Sequence, residues 1–89
     1  MALFTVLRIM VMEHRYDTLL DHTPSQIRKS LRLRRMLRGL TDYCDSGRWL
    51  KDYALDEQGR LPKWLKRGVL SQDGLYDLLC RIADSEISN

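Results

Sequence analysis

Few side chains in this sequence are placed where they could do acid–base, nucleophilic or metal chemistry. The two histidines, His14 and His22, and the two cysteines, Cys44 and Cys80, are scattered along 89 residues. Metal sites need ligands at short, characteristic spacings, which these four residues lack. His22 and Cys44 have no local signature of a nucleophile and its base, and there is no glycine-rich phosphate loop. We therefore expect no catalytic residues, no metal site and no cofactor.

The cysteines and the first residues of the chain indicate the cellular compartment in which we expect the protein. Cys44 and Cys80 lie in apolar helical patterns, which favours buried free thiols in a reducing cytoplasm over a single disulfide. The apolar residues 1–12 contain Arg8 and lack the features of a signal peptide, and they are too few to cross a bilayer. We expect them to begin the first helix of a cytoplasmic protein that has no membrane partner.

The most prominent chemical feature is a run of basic residues. Between His22 and Thr41 there are six basic residues and no acidic one. They are Arg28, Lys29, Arg32, Arg34, Arg35 and Arg38. On one continuous helix, Arg28, Arg32 and Arg35 share a face that could lie along an acidic protein surface or along phosphates.

Two alternatives weaken this interpretation of the basic run. The net charge is only +3, and the face could simply be solvated or paired with nearby acids. Those acids are Asp42, Asp45, Asp52, Asp56 and Glu57. No recognised nucleic-acid-binding motif accompanies the arginines.

A second candidate surface lies on the predicted first helix, residues 2–21. One face carries Ile9, Met12, Tyr16, Leu19 and Leu20, and another carries Leu3, Leu7 and Met10 with Phe4 and Val11 beside them. A helix that is apolar on several sides is buried on several sides. In so short a chain this favours a partner, of which a second copy is one candidate; the alternative is internal burial under the segment around Trp64.

Helices must position both surfaces. Thr23, Pro24 and Gln26 form a capping box that starts a second helix, predicted over residues 24–45 with Gly47 as its stop. A short third helix is predicted over 48–58, ending before Gly59, and the last over 72–86 after an N-cap at Ser71. In the third helix the expected inner face is Trp49, Leu50, Tyr53 and Ala54, and the expected outer face is Lys51, Asp52, Asp56 and Glu57.

The connection between the last two helices is bracketed by Gly59 and Gly68 and contains Pro62, which cannot continue a helix. Within it, Trp64 and Leu65 are expected to plug the core from the side. We expect a structural staple, with a functional loop as the alternative, in which Lys63, Trp64, Lys66 and Arg67 would act and the basic residues would extend the arginine face. Gly74 could permit a close backbone approach in the last helix.

A set of residues in this region carries a resemblance to a known family. They are Trp49-Leu50-Lys51-Asp52-Tyr53, Asp56-Glu57, Gly59, Leu61-Pro62, Leu65-Lys66, Gly68-Val69-Leu70-Ser71, Asp73 and Leu75-Tyr76-Asp77-Leu78-Leu79, together with 13–17 and 40–43. The sequence resembles a family of small bacterial proteins catalogued as domain of unknown function four-two-nine-eight. It departs from the family where Tyr43-Cys44 replaces two successive aromatic residues. The resemblance implies a small, mostly helical, single-domain protein, and it transfers no activity.

The predicted fold is therefore all-α, a compact bundle of three main helices plus one short helix in a single domain, 1–89. The function we expect is non-catalytic binding of another protein, as a small bacterial regulator, inhibitor or immunity-like module. The partner would be an acidic surface or a second copy. The expected contact residues are Leu3, Leu7, Met10, Arg28, Arg32 and Arg35. The alternative is a nucleic-acid-binding protein that uses the same arginines.

Overall fold

The computed structural model describes the backbone of residues 3–87 and the side chains of residues 3–84. The chain folds into α1 (Leu3–Leu20), α2 (Pro24–Lys29), α3 (Leu31–Asp45), α4 (Arg48–Glu57), a 3-10 helix (Gly68–Leu70) and α5 (Gln72–Ile87). Across residues 3–87 there is no β-strand. The predicted all-α bundle with an irregular connection before the last helix is confirmed.

The predicted second helix is wrong in one respect, because it is two helices. Ser30 has an extended backbone (φ −108°, ψ 120°), and its hydroxyl oxygen accepts a hydrogen bond from the Leu33 N–H at 3.2 Å, capping α3. On one straight helix, Ile27 would point away from the stripe that contains Leu33 and Leu40. The break at Ser30 removes this conflict, and all three side chains are buried.

The helix ends follow the local signals in the sequence. The Thr23 hydroxyl accepts from the Gln26 N–H at 3.2 Å, and the Gln26 side chain accepts from the Thr23 N–H at 2.8 Å, so the capping box forms. Gly47 and Gly59 adopt left-handed backbones with φ of 85° and 68°, a conformation that costs glycine little. These two residues fix where α4 begins and where the connection after it begins.

The core lies between α1, α3, α5 and the connection. Its buried apolar residues are Ile9, Tyr16, Leu19, Ile27, Leu33, Leu40, Tyr43, Leu61, Leu65, Val69, Leu70, Leu75, Leu78 and Ile82. The connection alone contributes four of these, so it belongs to the core rather than to the surface. No helix within residues 3–87 is long and apolar enough to cross a membrane.

Two glycines mark close approaches of α1 to other helices. A Cβ atom on Gly74 would lie 2.5 Å from the Tyr16 hydroxyl oxygen, so at α5 the close approach is made by the side chain of Tyr16. The guanidinium of Arg15 occupies the place of a Cβ atom on Gly39 in α3. Tyr16 is buried, so its ring has little room to move, whereas a long arginine side chain can swing away.

Candidate functional site

The predicted apolar face of α1 is exposed to solvent. Leu3, Phe4, Leu7, Met10 and Val11 are all exposed, and Phe4 is the most exposed of them at 81%. The opposite face packs inward through Ile9, Tyr16 and Leu19, although Leu20, expected to be inward, is exposed. The other residues of the described chain therefore leave this face of α1 uncovered.

A cavity joins this face to the connection. Its volume is about 340 Å³, and its lining residues are Met10, Glu13, His14, Asp17, Trp64, Leu65 and Lys66. The structure thus brings predicted contact residue Met10 together with predicted loop residues Trp64 and Lys66. The expectation that Trp64 plugs the core is wrong: Leu65 is buried, but Trp64 is 69% exposed. We call Leu3, Phe4, Leu7, Met10, Val11 and Trp64 the α1 apolar surface.

The connection is held in place through the backbone of Val69. Its N–H donates to a Glu13 carboxylate oxygen at 2.7 Å, and its carbonyl accepts from the Trp49 indole N–H at 2.9 Å. Glu13 and Val69 are both buried, where an unpaired backbone group would be costly. The structure therefore supports the staple interpretation for the Gly68–Leu70 segment, with α1 on one side and α4 on the other.

Arg67, which we expected to extend the arginine face, is instead paired with a residue of α4. Its guanidinium lies 2.6 Å from an Asp56 carboxylate oxygen in a partly exposed ion pair. Lys63 and Lys66 are exposed, and Lys66 lines the cavity beside Met10. The predicted basic residues Lys63, Lys66 and Arg67 therefore do not act as one group.

A buried polar cluster links α1, α3 and α4. Asp52 was expected to face outward but is fully buried (0% exposed), and Leu50, expected inward, is exposed. The Asp52 carboxylate accepts from Arg8 at 3.0 and 2.5 Å and from the Tyr43 hydroxyl at 2.6 Å. Three hydrogen bonds, two of them from a cation, stabilise a carboxylate that would otherwise be very costly to bury.

The electrostatics of this cluster suit a structural role. The hydrogen bonding that Arg8 donates to Asp52 is the main cause that raises the pKa of Arg8. Burial first, and the hydrogen bond to Asp52 second, raise the pKa of the Tyr43 phenol far above its ordinary value. Both groups therefore keep their protons at neutral pH, so neither is suited to general acid–base catalysis. Sequence reasoning missed the cluster, although Arg8 inside an apolar stretch was a usable signal.

The arginines of the basic run are grouped differently from the prediction. Because the helix breaks at Ser30, Arg28 lies on α2 whereas Arg32 and Arg35 lie on α3, and the three share no continuous helix face. Arg28 instead lines a groove together with Arg34 and Arg38. The groove has a volume of about 350 Å³, and its other lining residues are Ile27, Leu37, Thr41 and Asp42. We call it the basic groove.

The basic run is not neutralised by the acids that we considered. Among the side chains of residues 3–84, the ion pairs are Arg8–Asp52 and Arg67–Asp56, and neither involves residues 28–38. Arg32 makes one weak contact, 3.8 Å to the Met36 sulfur. The arginines of α2 and α3 are thus available to solvent or to a ligand.

The histidines and cysteines do not converge on a reactive centre. His14 lines the cavity beside Trp64, and His22 Nδ1 lies 2.7 Å from the Thr18 carbonyl oxygen at the end of α1. Cys44 and Cys80 are free thiols, as predicted, although both are half-buried rather than buried. Burial, then the charge of Asp45, raises the pKa of the Cys44 thiol, which lowers its thiolate fraction. Within the described residues, no three His, Cys, Asp or Glu side chains could hold a metal ion.

The fold and the site together define a class: a small helical protein whose irregular connection is fixed by side chains of α1 and α4. The chain belongs to the family described as Domain of unknown function (DUF4298), whose model matches residues 9–88. The resemblance seen in the sequence is thereby confirmed, and the matched range includes Glu13, Trp49 and Val69. Comparison with curated proteins and with solved structures found no significant match.

Proposed function

We propose that the protein is a non-catalytic protein-binding module of the bacterial cytoplasm, a small regulator, inhibitor or immunity-like protein that binds through the α1 apolar surface. The observation that carries this is the exposure of five large apolar side chains within nine residues of one helix. Contiguous apolar surface of this kind marks interaction sites on soluble proteins. Trp64, next to Met10 at the cavity, adds the aromatic type that is enriched at binding hot spots.

The spacing of these residues indicates that the partner contributes a helix. Leu3, Leu7 and Met10 follow one another at intervals of four and three residues, the spacing of an a/d seam in paired helices. Phe4 and Val11 lie seven residues apart and flank this seam on one side. A partner helix laid along the seam would cover all five side chains.

The first partner that we propose is a second copy of the chain. The exposed positions 3, 4, 7, 10 and 11 are distributed symmetrically about Leu7. In an antiparallel pair related by a two-fold axis at Leu7, Phe4 lies against Met10 of the other copy and Leu3 lies against Val11. A two-fold interface requires such self-complementarity, and this stretch of α1 provides it.

Leu7→Glu is the direct test, because in the symmetric pair Leu7 faces itself and the substitution places two carboxylates together. Light scattering should show a wild-type dimer and a Leu7→Glu monomer, at both low and high salt, with unchanged helical circular dichroism. Leu50→Glu is the matched control, since Leu50 is an exposed leucine (63%) on α4, and it should remain dimeric. A monomeric wild type at about 100 μM, which is weak for a specific complex, or a dimeric Leu7→Glu protein, would exclude self-association through this face.

Nucleic-acid binding is the second candidate function, favoured by the arginines of α2 and α3, which form no ion pair with the side chains of residues 3–84. Binding to phosphates along a strand would weaken steeply with salt, because counterions are released. It would also respond to charge reversal at Arg28, Arg32 and Arg35. Gel-shift titration of a DNA duplex at two salt concentrations distinguishes this function, since the α1 apolar surface would bind its partner with little salt dependence.

A further inference from the structure

We propose that the basic groove is a binding site for a small phosphorylated molecule. Three guanidinium groups, those of Arg28, Arg34 and Arg38, line one depression between α2 and α3. They come from two helices, and the turn at Ser30 is what brings Arg28 back beside the arginines of α3. No feature of the α1 apolar surface is shared with this groove, so the two can be tested separately.

The positive charge of the groove has no ion-pair partner among the side chains of residues 3–84. Among the described side chains, Arg28, Arg34 and Arg38 form no ion pair, and Arg28 is half-buried. Asp42 is the acid that lines the groove, so three positive charges face one negative charge, leaving a surplus of two. A phosphate monoester carries close to two negative charges at neutral pH and would balance this surplus.

Arginine also fits phosphate by geometry. The planar guanidinium presents parallel N–H donors that match two phosphate oxygens, and such charge-assisted pairs are stronger than neutral hydrogen bonds. Arg34 and Arg38 lie four residues apart, which places them on one side of α3. Arg28 adds a donor from α2, so an anion in the groove would be held from both helices.

The remaining lining favours a small organic ligand over a bare ion. Ile27 and Leu37 supply an apolar wall, and the volume of about 350 Å³ is in the range of small-molecule sites. The Thr41 hydroxyl donates to the Leu37 carbonyl at 3.0 Å, which leaves its oxygen free to accept. Asp42 can also accept a hydrogen bond. The chemistry selects a phosphate monoester whose organic part carries hydroxyl or amino groups, such as a nucleoside monophosphate.

Calorimetric titration with inorganic phosphate and with adenosine monophosphate tests this assignment. Both probes should bind, the nucleotide more tightly, and Arg34→Gln or Arg38→Gln should each weaken nucleotide binding about tenfold. Arg32→Gln and Arg35→Gln remove the same charge from the same helix but lie outside the groove, so they should change affinity by less than about twofold. Arg34→Lys retains the charge without the planar guanidinium, and should bind the nucleotide less tightly than wild type. Asp42→Asn removes the competing anion and should tighten binding.

Three results would overturn the assignment. One is the absence of heat with adenosine monophosphate at millimolar concentration, and another is an equal loss of affinity in the Arg32→Gln and Arg34→Gln proteins. The third is preference for a single-stranded oligonucleotide without terminal phosphate, with a steep salt dependence spread over all five arginines, which would assign the charge to a nucleic-acid backbone. Leu7→Glu should leave nucleotide binding unchanged, so failure of the groove and failure of self-association are separable.

Discussion

Replacing Arg8 by methionine should destabilise the protein severely, because it removes the cation beside a fully buried carboxylate. Asp52 would keep the hydrogen bond from Tyr43 alone. Removing one partner from a buried ion pair costs about 3–5 kcal/mol. The Arg8 side chain is 28% exposed, so water can partly replace it, which places the expected loss near 3 kcal/mol.

Asp52→Asn should cost less than Arg8→Met, by about 1 kcal/mol. The asparagine keeps the shape and one acceptor oxygen, and Arg8, being partly exposed, can regain water. The expected loss is therefore about 2 kcal/mol, within the range for hydrogen bonds to charged groups. The order of the two variants is informative because it follows from the difference in burial between Arg8 and Asp52.

Urea unfolding followed by circular dichroism measures both losses. A protein of 89 residues has an unfolding free energy of roughly 5–13 kcal/mol. With a urea slope near 1 kcal/mol/M, a loss of 3 kcal/mol lowers the midpoint by about 3 M. Lys51→Met, an exposed change on α4, is the control and should stay within about 0.5 kcal/mol of wild type. A loss below about 1 kcal/mol for Arg8→Met, or a larger loss for Asp52→Asn, would refute the reasoning.

The remaining predictions concern two glycines and one tyrosine. Gly74→Ala should destabilise the protein, because the added Cβ would meet the Tyr16 hydroxyl. Gly39→Ala should stabilise it by about 0.5–1 kcal/mol, since the side chain of Arg15 can move. Urea unfolding of both variants, and of Gly74→Ala combined with Tyr16→Phe, checks the difference. The folded state raises the pKa of Tyr43 above the ordinary 10.0, so stability is retained below that pH and declines above it. Tyr43→Phe should show a smaller alkaline decline in unfolding free energy.

Local signals in the sequence predicted the ends of the helices well. Thr23 with Gln26, Gly47 and Gly59 act through their own backbone and near neighbours, so their roles can be derived without tertiary structure. Gly74 was also predicted as a close approach, although the sequence did not identify Tyr16 as its neighbour. The successes at the helix ends concern interactions within a few residues of one another, whereas Gly74 and Tyr16 are 58 residues apart in the chain.

One group of errors concerns polar residues in the interior. Glu13 and Asp52 are acids on helices, and such residues are usually exposed, so the pattern placed Asp52 outward. Glu13 is buried because it pairs with Val69, which is 56 residues away in the chain. Asp52 is buried because it pairs with Arg8, which is 44 residues away. Spacing alone could have suggested Glu13, which lies four residues after Ile9 and three before Tyr16 on the buried face of α1.

The candidate sites were predicted in part. Leu3, Leu7 and Met10 could be found because helical periodicity left them on a second apolar face. The grouping of Arg28 with Arg34 and Arg38 could not, because the prediction assumed one helix across Ser30. A serine inside a helical pattern is ambiguous: it can remain in a helix or cap a new one, and here the burial of Ile27 decides the outcome.

The hydrogen bonds of Val69 also affect how the protein opens. An irregular connection of about ten residues would ordinarily exchange its amide hydrogens through small local fluctuations. Here the Val69 amide is held by Glu13 and its carbonyl by Trp49, so releasing this residue requires α1 and α4 to move apart from it. We therefore expect the connection to open together with the helices as one cooperative unit. A protease that cuts mobile loops should not cleave the Gly68–Leu70 turn unless the helices also open.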